Sequence, residues 1–70
     1  MNLNIRGTVI QNVKENTPAQ LEATIEDAIE GKEETLLPGL GVLFEMIWQK
    51  SSREDRDQMI KTLESGLTTA

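Results

Sequence analysis

"LLPGLGVLFEMIW", residues 36–48, decides how this chain is read. A proline and two glycines spaced P-G-x-G among apolar residues fit two structures: a loop whose backbone amides hold a phosphate, or the opening of a buried helix. Pro38 suits the first turn of a helix, where its missing N–H costs nothing, and it disfavours helical backbone at Leu37. A helix is therefore expected to begin near Pro38. On a helical wheel Leu40, Leu43, Phe44, Ile47 and Trp48 share one face, and Val42 and Met46 extend it around. Gly41, Glu45 and Gln49 form the one consistently polar stripe. A helix apolar over more than half its circumference is a central helix or an interface helix.

Outward from this helix, the flanking residues carry boundary signals. Thr17, Pro18 and Gln20 form an N-cap, a proline in the first turn and the far half of a capping box. The helix they open places Leu21, Ile25, Ala28 and Ile29 on one face, and Gly31 is the expected left-handed terminator. Downstream, Ser51 with Glu54 reads as a second capping box, and Met59, Ile60, Leu63 and Leu67 give the last helix its apolar face, with Gly66 near its end. The tail Thr68–Ala70 is expected to fray. Residues 3–13, "LNIRGTVIQNV", fit both a two-residue alternation and a helical face. Context selects helix, because a strand here would have no partner strand in so short a chain.

The predicted fold is all-α, with helices near residues 3–14, 18–30, 38–50 and 52–65. It is a small single domain spanning residues 1–70, built from three to four short helices packed around a central apolar helix. Seventy residues bury only ~60% of the surface the unfolded chain exposes, so the core should be thin.

Composition removes several function classes. With neither cysteine nor histidine, disulfides, thiolate metal sites and the commonest general base are absent. Seven Lys and Arg against twelve Asp and Glu give a net charge of −5, which opposes binding through phosphate neutralisation. The longest apolar run, Leu36 to Phe44, is under half a membrane span, and "MNLNIRG" lacks the pattern of a secretory signal. The expected state is soluble and intracellular, with no membrane association and no cofactor.

Three constellations bear on chemistry. Pro38–Gly41 partly matches a helix-hairpin-helix element, h-x-x-h-P-G-h-G, in which Gly39, Leu40 and Gly41 would contact a DNA phosphate through their amides. Glu33, Glu34 and Glu45 surround the turn and would repel that ligand, so nucleic-acid binding is the alternative rather than the leading reading. Glu22, Glu26 and Glu30 make an acidic stripe, which cannot converge the 6–8 oxygens of a tight calcium site. No catalytic residue is assigned, since Thr8, Thr17, Ser51 and Ser52 have no histidine base and the carboxylates sit at outward helical positions.

The residues also carry a family resemblance. The start "MNLN", the central "EDAI" and the block "LLPGLGVLFEMIWQ", with the length and the acidic balance, resemble the small acid-soluble spore protein I family of Bacillus-type bacteria. The resemblance covers nearly the whole chain. It implies a sporulation protein made in the forespore and residing in the cytoplasm of the spore core, distinct from the major spore proteins that coat DNA. No catalytic or binding residues carry over with it.

The leading expectation is a non-enzymatic structural or protein-interaction module with an unidentified protein partner. Val42, Met46 and Trp48 are the candidate interaction surface. Val42 and Met46 lie beyond the apolar centre of the third helix, so either the first helix or a second copy must cover them. A two-fold homodimer is the commonest closed solution for a self-complementary patch.

Overall fold

The computed structural model describes residues 4–70. Among these the chain forms α1 (Ile5–Val13), α2 (Pro18–Glu30), a 3-10 turn (Glu34–Leu36), α3 (Leu37–Lys50) and α4 (Arg53–Thr68), and no strand. The fold is all-α, as expected. Leu3, placed by the sequence at the start of the first helix, lies outside the described residues.

Each helix start has a local cause. Asn4 caps α1, its Oδ1 accepting from the Gly7 N–H at 3.0 Å. A side chain on Gly7 would meet Asn4 at 2.5 Å, so the absence of a Cβ makes room for this cap. At α2 both halves of the expected capping box form: the Gln20 N–H donates to Thr17 Oγ1 at 3.2 Å, and the Thr17 N–H donates to Gln20 Oε1 at 2.9 Å.

Four local expectations are corrected. The α2 end uses Lys32, not Gly31, as its left-handed residue: Gly31 has φ −65° and Lys32 has φ 53°. Leu37 is helical despite preceding Pro38, because the 3-10 turn already holds its N–H on the Glu34 carbonyl and runs straight into α3. Helix α4 is capped by Ser52, whose Oγ accepts from the Asp55 N–H at 3.1 Å, while the Ser51 hydroxyl donates back to the Ile47 carbonyl at 2.6 Å. With two serines adjacent, the cap falls one residue later than expected. Helix α4 also runs to Thr68, carrying Gly66 and part of the expected fraying tail inside it.

The packing departs further from the wheel. The expected apolar centre of α3 is half open, with Phe44 50% and Ile47 47% exposed, whereas Val42 at its edge is buried at 8%. Helix α1 is the reason. It reaches α3 on both flanks of Val42, with Arg6 bound to Glu45 and Val9 beside Gly39, where a Cβ would lie 3.8 Å from Val9 Cγ2. Helix α2 lies on the same side of the molecule, its Leu21 and Ile25 bordering a shared hollow with Ile10 and Leu43. Leu21, Ile25 and Ala28 are half-buried as the spacing requires, but Ile29 is exposed.

Candidate interaction surface

Helix α4 meets α3 on its other side, around Phe44 and Trp48. Two residues, Ser51 and Ser52, join the helices, and the Ser51 N–H closes α3 on the Trp48 carbonyl at 3.2 Å. Arg56 then fixes α4: its Nε donates to the Trp48 carbonyl at 2.8 Å while the guanidinium carbon lies 5.2 Å from the Trp48 ring centroid. A cation over the indole face adds electrostatic attraction to that hydrogen bond. The Phe44 and Trp48 rings sit 6.0 Å apart and tilted by 38°, within the range of favourable aromatic pairs.

Beyond Arg56 the two helices diverge around an open groove of about 550 Å³, lined by Phe44, Glu45, Trp48, Met59, Ile60 and Leu63. Met59 is half-buried, but Ile60 is 50%, Leu63 56% and Leu67 67% exposed. The apolar face assigned to α4 from its spacing is present, and α3 does not cover it. Large apolar side chains exposed together along one helix are the signature of a contact surface.

The chemical capacity of the rest is narrow. Arg6 and Glu45 form a two-pronged ion pair, Nε to Oε1 at 2.7 Å and Nη2 to Oε2 at 2.8 Å. Hydrogen bonding from Arg6 holds the Glu45 carboxyl below its ordinary value, against a smaller opposing desolvation, and the same bond raises Arg6. This pair spans 39 residues of sequence, and no local pattern announced it. Among the described residues, no three acidic side chains gather into a cluster able to hold a metal ion. No helix among them is long and apolar enough to cross a membrane.

The sequence-derived candidates fall in different places. Val42 is only 8% exposed, on the side of α3 that meets α1. Met46 is 40% exposed and borders the hollow on the α1 side, while Trp48 is half-buried at the groove on the other. The three therefore do not form one patch. Gly39, Leu40 and Gly41 lie inside α3 rather than in a loop between two helices, and no glycine among the described residues has positive φ. Gly41 faces open space, so close packing is not its role. Phe44, Ile60 and Leu63, assigned to the core from their spacing, are instead the exposed residues of the groove. The excess of apolar positions on α3 was the sequence signal for them.

Comparison with known proteins identifies the setting. Residues 3–67 match the family described as small, acid-soluble spore protein I. The chain belongs to that family. It is 57% identical over 70 residues to a small, acid-soluble spore protein I of Bacillus subtilis (strain 168), covering 100% of this chain and 99% of the relative. It is 56% identical over 70 residues to that of Bacillus velezensis, with the same coverage, and 54% identical over 67 residues to that of Bacillus cytotoxicus, covering 96% of each. No solved structure matches the chain. Membership makes this a sporulation protein, and the resemblance read from "LLPGLGVLFEMIWQ" is upheld.

Proposed function

We propose that this chain is a non-enzymatic component of the spore core, made in the forespore, and that it acts as a structural or protein-interaction module. The observation that carries the reading is the groove between α3 and α4, where Phe44, Ile60 and Leu63 stand half exposed around the ordered Trp48–Arg56 contact. A surface of this kind binds by apolar burial, whereas catalysis requires polar groups converging on a reacting atom. Immobilised full-length protein in extract from sporulating cells tests it. Proteins held by the wild type, its own copy included, should be lost with Phe44→Glu at unchanged helical circular dichroism. Equal retention by both overturns the reading.

The nucleic-acid alternative finds less support. The amides of Gly39 to Gly41 belong to a helix whose start follows Glu33 and Glu34, and Arg6 is engaged by Glu45. Titration with duplex DNA is expected to give no binding at micromolar protein even in low salt. Salt-steep binding abolished by Gly39→Val with Gly41→Val would replace the present reading, because phosphate contacts weaken steeply with salt.

A further inference from the structure

The chain exposes more surface than a folded monomer of its mass keeps. Its accessible area is 6179 Å² for 7.8 kDa, whereas the scaling of area with mass for folded monomers gives about 4,400 Å². Its radius of gyration is 13.5 Å, against roughly 11 Å for a compact chain of this length. The surplus, roughly 1,800 Å², exceeds the ~800 Å² that one partner contributes to a standard interface.

Of the ten large apolar side chains exposed among the described residues, Phe44, Ile60 and Leu63 line the α3–α4 groove and Leu67 continues along α4, and the near-neutral part of the chain lies there too. Between Glu15 and Glu34 stand seven carboxylates and one lysine, while from Leu37 to the C-terminus five carboxylates meet four cations. The acidity therefore lies on α2 and its flanks, and the α3–α4 side is nearly balanced. Along the rim of the α4 apolar face, Arg53, Asp57, Lys61 and Glu64 alternate in sign. An antiparallel copy of α4, related by a two-fold axis near Met59, brings Arg53 opposite Glu64 of the second copy and Asp57 opposite its Lys61. Opposite charges then meet on a rim around an apolar seam, the usual anatomy of an interface.

We propose that a second copy of this chain closes the α3–α4 groove, forming a two-fold dimer whose seam is Ile60 and Leu63 of α4 with Phe44 of α3. The proposal rests on the interaction-module reading and names its occupant. It also moves the expected seam, since Val42 is already covered by α1 and Met46 lies on the α1 side.

Sedimentation equilibrium of the full chain up to high micromolar concentration tests it. The wild type should weigh twice the 7.8 kDa chain. Ile60→Glu with Leu63→Glu should raise the dissociation constant at least ten-fold, and Met46→Glu, outside the seam, should leave it unchanged. If the double variant loses its helical circular dichroism, the wild type alone decides: a dimer's Tm rises with protein concentration and a monomer's does not. A monomeric wild type, a Tm independent of concentration, or a dimer indifferent to charges at Ile60 and Leu63 overturns the proposal. Equal capture by the wild type and Phe44→Glu, or none by either, by contrast overturns the interaction-module reading itself.

Discussion

On one side of α3, α1 places Arg6 on Glu45 and Val9 beside Gly39, and Val42 between them is buried. On the other, α4 is held through Arg56 at Trp48, and Phe44 and Leu63 stay half exposed. The first side has contacts at two places along the helix, so the strip between them is enclosed. The second has its named contacts near one end of α4, so the helices part beyond it. The lesson is that burial follows where neighbouring elements are tied down, not where hydrophobicity is greatest. Phe44 and Ile47 lie at the apolar centre of α3 and are open, while Val42 lies at its edge and is closed.

The contrast is most directly broken at Val42. Val42→Asp places an unpaired carboxylate where α1 meets α3, and about 3 kcal/mol or more of stability should be lost in denaturant titration. With so thin a core, the helical circular dichroism should fall with it. A fully folded Val42→Asp protein would show that the α1 side does not hold the molecule together.

On the other side, Arg56→Ala removes both the bond to the Trp48 carbonyl and the cation over its ring. A loss of about 1–2 kcal/mol is expected, with a change in Trp48 emission as α4 loosens. No change in either would mean that α4 is held by something other than Arg56. A gain is expected at Gly39→Ala. The new methyl lies at van der Waals distance from Val9 and the helix loses a glycine, so stability should rise by about 0.5–1 kcal/mol. Destabilisation there would mean that α1 packs more tightly on α3 than this distance allows.

The smallest effect belongs to the exposed ion pair. Glu45's carboxyl is depressed in the folded state, so its contribution is present above the unfolded glutamate value and is lost as pH falls through the depressed folded value. Arg6→Gln should therefore lower Tm slightly near neutrality and flatten the loss of stability on acidification below about pH 4.3. Salt should narrow the difference between the two proteins, since both groups face solvent. An unchanged acid limb would show that the pair orients α1 without stabilising it.

Much of the helical framework was legible because its signals are local. Thr17, Pro18 and Gln20 act within one turn, and both capping-box bonds form where the sequence placed them. Boundaries slipped by a residue where neighbours compete for one role, as with Ser51 and Ser52 or Gly31 and Lys32. The buried face of α3 was not legible, because a helix apolar over most of its surface offers periodicity no single direction. The Arg6–Glu45 contact was hidden for a different reason: it joins segments 39 residues apart, and each residue alone reads as an ordinary solvated charge. The groove followed from both gaps, since its residues fall on apolar faces by spacing and are left open by the way the helices are tied.

The short joint at Ser51 and Ser52 has a kinetic consequence. A helix tied at one end by a two-residue link and one guanidinium can swing away as a unit without disturbing α1, since Val42 and the Arg6–Glu45 pair lie on the far side of α3. Local opening of this kind needs only a fraction of the global unfolding free energy. Helix α4 would then visit an undocked state before the remainder of the chain unfolds, carrying Ile60, Leu63 and Leu67 with it into water. Whatever grips that face also sets how often α4 comes loose.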